Sequence, residues 1–420
     1  MTASTQGHAE SRSKLARGLV FVGAATLVGN GSAYLLSIIA ARILTPADFG
    51  AFGALLGILI IVSTLTIALQ ALTARRVATA GPDRVAVEGT AIRLSVIVGV
   101  GIILLGIVVS WPLGQVFTIP TAALAMGFAS LAFVIVGCAA MGIAQGREEH
   151  LRLSMGFIAN GVGRAAVGIV FVLLFGSVTG IAAGILIGTA VGAAISYLLI
   201  CPRRWSKALK PGWTVEFAHV SHALIVLFTL TNVDVLLARF FLTENQSGEY
   251  AVGVLLAKIA FFLPNAIIIV LFPKMTSSDS RRTVLIATGL TAVLGAAITA
   301  VSFTFGSLVV RILGGTQYPE LNGEIWLFAL EGSAFALVQV LLYARLAAQD
   351  RKAVTAVWVA LVILVGTVAF WRNGSVVEIV TTVVAVSLVL TVAGLFLDHR
   401  NARRNGSGET GPLEPIEAAE

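Results

Sequence analysis

The chain has 420 residues, of which 57% are hydrophobic and only 12% charged, and its mean hydropathy is +0.96. A soluble domain carries about 25% charged residues, so this composition excludes a water-soluble globule and leaves a polytopic membrane protein. The formal net charge of +7 does not point to nucleic acid, because the basic residues sit between apolar runs, where they act as topology signals.

Twelve spans are predicted, at roughly 17–41, 49–72, 92–110, 120–143, 153–175, 178–200, 216–241, 250–272, 283–305, 323–347, 353–371 and 376–397. About 20 apolar residues cross the roughly 30 Å of hydrocarbon. The runs are glycine-rich and do not alternate over about 10 residues as barrel strands do. The fold class expected is therefore an all-α polytopic membrane protein with two pseudo-symmetric six-helix bundles. Residues 16–200 form the first bundle, 201–215 a cytoplasmic linker and 216–397 the second. Residues 1–15 and 398–420 read as disordered cytoplasmic tails. No cleavable signal peptide is visible, and Cys138 and Cys201 suggest no disulfide framework.

After span 1 the chain reads Leu35 to Phe52, L-L-S-I-I-A-A-R-I-L-T-P-A-D-F-G-A-F. Thr45-Pro46-Ala47-Asp48 predicts a helix start, with a capping Thr, Pro at the first helical position and an acid at the third. An echo follows span 7, where Arg239, Gly248 and Tyr250 match Arg42, Gly50 and Phe52 at offsets of 197 and 198. A second echo sets Ala144-Gln145-Gly146-Arg147 against Ala348-Gln349-Asp350-Arg351. Repeats with an even number of spans are parallel and related by an axis along the membrane normal. Trp111-Pro112, Ile119-Pro120 and Tyr318-Pro319 mark further boundaries.

With the N-terminus inside, 22 of the 28 Lys and Arg residues fall on the inside, and Arg42, Arg239, Arg311 and Arg372 on the outside. Arg164 and Lys258 lie within spans. This bias predicts cytoplasmic termini in a multi-pass plasma-membrane protein.

Polar residues inside spans are the candidate site. Thr26, Asn30, Tyr34 and Ser37 share one face of span 1, and Ser63, Thr66, Gln70 and Thr73 one face of span 2. These faces either line a wet cavity or hydrogen-bond to neighbouring helices. Asn160 and Arg164 share a face of span 5, Lys258 and Asn265 a face of span 8, and Glu324 and Glu331 a face of span 10. Ionisable groups within a bilayer are costly and mark cavities or partners. Arg164 and Lys258 either face a cavity or form structural ion pairs. Asp234 and Lys258 lie at similar depth, and Asp234 and Glu331 are the candidates for coupling to an ion. Arg42 and Arg239 are either rim contacts for headgroups or interfacial anchors. Gly180, Gly184, Gly188 and Gly192 predict close helix packing. No catalytic constellation, phosphate-binding loop or metal-ligand spacing occurs, so neither cofactor nor metal is expected.

The segments Ala41-Arg42-Ile43-Leu44-Thr45-Pro46-Ala47-Asp48-Phe49-Gly50 and Val270-Leu271-Phe272-Pro273-Lys274, with the six-plus-six layout, resemble a known family. It is the bacterial polysaccharide transporter family of lipid-linked oligosaccharide flippases, within the multidrug/oligosaccharidyl-lipid/polysaccharide exporter superfamily. The resemblance implies a V-shaped exporter fold and movement of an undecaprenyl-pyrophosphate-linked glycan from the inner to the outer leaflet. It also implies contact with membrane lipids and with other polysaccharide assembly proteins. Span 1 departs from the drug-exporter branch in carrying Asn30 and Tyr34 but no acid. Two other readings are a drug or metabolite cation antiporter, which an acidic cavity would favour, and a membrane glycan polymerase or ligase. An enzyme of that kind needs a substantial polar outside loop, and the outside connections are short.

Overall fold

The computed structural model describes residues 2–201, 212–262, 280–347 and 352–406. Fourteen α-helices and two short 3-10 turns account for nearly all of them, and no strand occurs among the described residues. With no water in the hydrocarbon, each backbone amide needs a partner within its own segment, which helices provide. In chain order the helices are α1 Thr2–Ile43, α2 Pro46–Ala78, α3 Arg84–Val116, α4 Thr121–Gly146, α5 His150–Phe175, α6 Val178–Ile200 and α7 Trp213–Leu230. They continue with α8 Val233–Phe241, α9 Glu244–Phe262, α10 Ser280–Thr304, α11 Gly306–Gly314, α12 Ile325–Ala347, α13 Lys352–Phe370 and α14 Val376–Gly406. Nine helices among the described residues are long and apolar enough to cross a membrane, and Ile325–Leu341 and Thr355–Phe370 are shorter apolar helices. The protein is an all-α, multi-pass membrane protein.

Helices α1 to α6 pack on one another, chiefly as α5 on α6, α1 on α5, and α4 against α2, α3 and α6. Helices α7 to α14 form a second group around α12, which contacts α9, α10 and α14. The groups meet where α2 packs against α7, α8 and α9. Because the helices alternate in direction, Arg42, Phe117, Phe175, Leu242 and Gly315 lie at one end of the molecule, here the Arg42 end. Arg76, Arg147 and Ile200 lie at the other, the Arg76 end.

Local chemistry explains the helix starts on the Arg42 side. The Thr45 side chain accepts from the Asp48 amide at 3.2 Å, with Pro46 in the first helical position. The second copy uses a different device at the same place. Gln246 Oε1 accepts from the Thr243 amide at 3.2 Å, and Thr243 Oγ1 accepts from the Gln246 amide at 3.4 Å, a reciprocal capping box. Tyr318-Pro319 opens a 3-10 turn, and Ile119-Pro120 precedes α4.

Four expectations are corrected. α1 is helical from Thr2, so residues 2–15 continue the first helix. α14 likewise runs to Gly406, beyond the expected end of span 12. Pro112 ends nothing: α3 passes through it to Val116, four residues on, with Trp111 and Pro112 exposed. Span 7 is not one helix but two, α7 and α8, broken at Thr231-Asn232. Their side chains take over the carbonyls next to the break. Thr231 Oγ1 donates to Leu227 and Phe228, both at 3.3 Å, and Asn232 Nδ2 donates to Phe228 O at 2.9 Å. Such side-chain bonds offer the backbone an alternative to helix.

At the Arg76 end Arg147 ties three helices together. It donates through Nε and Nη2 to Glu88, which is 1% exposed, and through Nη1 to Ile200 O at 3.1 Å. The paired Glu88 carboxylate raises the Arg147 guanidinium further above its usual range. Arg76 of α2 reaches across the group interface to α7: Nε and Nη2 donate to Glu216 Oε2 at 2.9 and 2.6 Å, and the guanidinium lies over the Trp213 ring at 5.6 Å. The expected linker at 202–211, Asn265, the Val270–Lys274 segment and the Ala348–Arg351 echo lie outside the described residues.

Candidate functional site

A cavity of about 220 Å³ lies where the two helix groups face each other. α1 contributes Asn30, Tyr34 and Ser37, α2 Ser63, α5 Arg164, and α9 Lys258 and Phe262. The sequence places these side chains together through simple periodicity: Asn30, Tyr34 and Ser37 are three or four residues apart on one helix face. Tyr34 meets Phe262 edge-on at 6.4 Å, so an aromatic pair spans the two groups beside the cavity.

Arg164 is set by the glycines of α6. A Cβ on Gly188 would lie 2.7 Å from Arg164 Cα, and one on Gly192 would lie 2.8 Å from Asn160 Cα. The α6 glycines thus admit the α5 backbone at contact distance, and the Arg164 side chain is carried into the cavity. Among the described residues no Asp or Glu lines the cavity, and Arg164 and Lys258 make no ion pair. The cavity therefore presents two cations, one from each helix group, among hydroxyls, an amide and apolar walls.

A smaller cavity of about 60 Å³ adjoins it and holds the acids. Its lining includes Thr231, Asn232, Asp234, Lys258, Phe262 and Glu331. Lys258, Ile60 and Phe262 line both cavities. Asp234 and Glu331 are each 1% exposed and lie within reach of each other. The break in span 7 places Asp234 in the first turn of α8, where the helix dipole favours a negative charge. Gly332 brings α12 onto α9, because a Cβ there would overlap the Ala257 carbonyl, and this seats Glu331 opposite Lys258. Asp234 Oδ1, Glu331 Oε2, Asn232 Oδ1 and the Tyr250 hydroxyl are buried oxygens that lack a hydrogen-bond partner. Buried polar atoms are nearly always bonded, so three orphan oxygens in the pocket lining, with the Tyr250 hydroxyl next to Asp234, mark a place for a proton or a small cation. Asp234 and Lys258 share this pocket without an ion-pair contact.

The remaining sequence candidates lie elsewhere. Asn160 donates to Gly156 O at 2.9 Å and Ser196 Oγ at 2.8 Å, joining α5 to α6 outside the cavity lining. Gln70 lies toward the Arg76 end and donates to Gln145 Oε1 at 3.3 Å. Arg42 and Arg239 sit at the Arg42 end, bonded to backbone carbonyls. Sequence reasoning missed Ser130 and Thr189, which complete the polar lining of the larger cavity. Thr189 sits beside Gly188 in the α6 glycine run, and only that adjacency signals it. Tyr250 was read only as an echo of Phe52, yet its hydroxyl is one of the orphan oxygens. Among the described residues no three His, Cys, Asp or Glu side chains come together to hold a metal ion.

A family model described as "Polysaccharide biosynthesis protein" matches residues 15–279, more than half of the chain. Among solved structures, a multidrug resistance MATE family transporter of the MOP superfamily in an inward-facing conformation superposes with a TM-score of 0.75. The two are 14% identical over 92% of this chain and 96% of that one. The lipid II flippase MurJ in an inward closed conformation gives 0.73 at 11% identity, over 90% of this chain and 87% of that one. A MOP superfamily transporter from Pyrococcus furiosus, described as having a binding pocket of reversed polarity, gives 0.60 at 16% identity, over 91% and 95%. At these identities the likeness is one of fold. No curated protein matches the chain.

Proposed function

The chain belongs to the polysaccharide biosynthesis protein family, and we propose that it is a flippase for a lipid-linked glycan. The substrate class is an undecaprenyl-pyrophosphate-linked oligosaccharide or related precursor, moved from the inner to the outer leaflet by alternating access. One observation carries this reading: Arg164 and Lys258, from the two helix groups, share a cavity whose lining holds no acid among the described residues. An unpaired charge inside a bilayer is costly, and a pyrophosphate would supply a counter-charge to Arg164 while competing with Asp234 and Glu331 for Lys258. The hydroxyls of Tyr34, Ser37 and Ser63 and the Asn30 amide then suit sugar hydroxyls, while the polyprenyl tail stays in lipid. A cation-exporting antiporter would face two like charges in that cavity, which disfavours the alternative. Glycan polymerase or ligase chemistry has no counterpart in the matched structures named above, which are transporters and a flippase.

The acid pocket beside the cavity supports a coupling role for Asp234 and Glu331. Lys258 belongs to both sites. When a headgroup draws Lys258 away, the two carboxyls lose their cation and take up a proton or a metal cation in its place. Loading of substrate and of coupling ion are then linked through one side chain. Orientation follows the charge bias, with both termini cytoplasmic and the Arg42 end outside.

The test is transport of a labelled undecaprenyl-pyrophosphate oligosaccharide in proteoliposomes. Protection of the sugar from an impermeant glycosidase reports its leaflet. Faster leaflet exchange with this protein than in empty liposomes, blocked by Arg164→Gln, is the expected result. Equal rates with and without the protein, alongside transport of small organic cations, would replace the proposal with the antiporter reading.

A further inference from the structure

Arg42 and Arg239, matched by the sequence echo, do the same thing in opposite directions. Arg42 ends α1 in the first helix group and reaches across to the second. Its Nη2 donates to Arg311 O at 3.2 Å and Ile312 O at 2.5 Å, on the last turn of α11. Gln317 Nε2 and the Tyr318 hydroxyl return the contact, donating to Arg42 O at 2.9 Å and Ala41 O at 3.2 Å. Arg239 ends α8 in the second group and reaches across to the first. Its Nε donates to Phe117 O and its Nη2 to Thr118 O, both at 2.9 Å, just past the end of α3. Its Nη1 donates to Ala47 O at 3.2 Å and Ser247 Oγ at 2.9 Å. Each guanidinium thus holds the carbonyl end of a helix in the other group, where the helix dipole favours a cation.

The echo glycines lie between the two arginines. A Cβ on Gly50 would overlap Ser247 and come 2.8 Å from the Gly248 amide, and one on Gly248 would overlap the Pro46 carbonyl. The starts of α2 and α9 therefore touch at backbone distance. Deeper in, a Cβ on Gly53 would lie 2.7 Å from Ala251 Cβ. Neither arginine faces a cavity acid or the central cavity, and Arg239 is only 6% exposed.

We propose that Arg42 and Arg239 form a reciprocal clasp that shuts the Arg42 end, and that both sets of carbonyl bonds break when this end opens. The clasp rests on the alternating-access reading, and its test needs no substrate. The echo is then a gate and not a headgroup site. Charge-assisted bonds to carbonyls suit a gate, because they are strong when aligned and are lost together when two rigid groups rotate apart.

The experiment uses the full chain in lipid nanodiscs with Cys138→Ser and Cys201→Ser. Spin labels replace Phe175 and Trp371, which are 60% and 78% exposed at the Arg42 end of the first and second groups. Pulsed electron resonance reads the distance between them. Arg42→Gln, at an exposed side chain, and Arg239→Gln should each add a longer-distance population. The double variant should raise the open-to-closed ratio by about tenfold, which is what a bias of about 1.4 kcal/mol produces. If Arg239→Gln does not accumulate, Gly248→Ala supplies the second reading, since its methyl wedges the same contact without touching a guanidinium. Distance distributions unchanged in monodisperse Arg42→Gln and Gly248→Ala protein would overturn the clasp. A lengthened distance in a protein that moves no glycan would keep the clasp and reject only the substrate.

Discussion

Lys258 is the one charged side chain, among the described residues, that lines both cavities. That position makes its substitution diagnostic. Lys258→Gln should remove headgroup attraction and leave Asp234 and Glu331 facing each other without a cation. Arg164→Gln should remove headgroup attraction alone. A hydrogen bond to a charged group is worth about 1.5–3 kcal/mol, so each change should lower the apparent affinity for a pyrophosphate lipid by about ten- to a hundredfold. Only Lys258→Gln should also alter the dependence of transport on the ion gradient. Titrating a labelled lipid against each variant, with and without an imposed gradient, checks both. Asp234→Asn separates coupling from scaffolding. A coupling carboxylate predicts normal accumulation with transport that no longer responds to the gradient, whereas a static partner predicts poor accumulation. The exchange Asp234→Lys with Lys258→Asp should rescue a static pair and leave a coupling site inactive.

At the scale of the helix, what the sequence reveals depends on how local the cause is. Most spans were legible because 20 apolar residues and flanking charges are a local signal. The glycine run of α6 was legible as packing for the same reason, and Gly184, Gly188 and Gly192 do meet the α5 backbone. Gly188→Leu should therefore drive α5 from α6 and displace Arg164. Overpacking costs about 1–3 kcal/mol, which would appear as a lower melting temperature in detergent together with weaker substrate binding. The break at Thr231-Asn232 was not legible, since two polar residues in an apolar run also suit an intact helix. It forms because those side chains bond Leu227 and Phe228 carbonyls, a choice that only the packed pocket decides. Asn232→Leu removes that bond and the orphan Oδ1 together. α7 and α8 should then approach one helix, and transport should fall while the protein still inserts. The echo arginines were legible as a repeat, but the carbonyls they hold in the other helix group lie 121 to 270 residues away in the chain. No window of sequence brings Arg42 to Ile312, so the choice between headgroup contact and interfacial anchor was open to correction only by the fold.

For the whole molecule, the question is which end faces out, and the structure sharpens the charge argument. The topology bias counts four basic residues against 22 at the Arg42 end. Two of the four, Arg42 and Arg239, are held by carbonyls of the opposite helix group. A third, Arg372, donates to Thr381 Oγ1 at 3.0 Å on the following helix, α14. These residues are present for contacts, so they weigh little as orientation signals, and the effective asymmetry is larger than the count. At the Arg76 end Arg84 is exposed, and Arg75 and Arg152 keep half or more of their side-chain surface, as juxtamembrane charges should. The expected outcome is therefore that single cysteines at Gln115, Asn245 and Gln317, all exposed at the Arg42 end, react with an impermeant maleimide in intact cells. Cysteines at Arg84 and Glu148, exposed at the opposite end, should react only after the membrane is opened. The three outer sites fall in both helix groups, so one sidedness for all of them also tests the parallel arrangement of the repeats. Labelling of Gln115 from one side and Asn245 from the other would break that arrangement. Labelling of all five in the reverse sense would keep it and turn the clasp into a cytoplasmic gate.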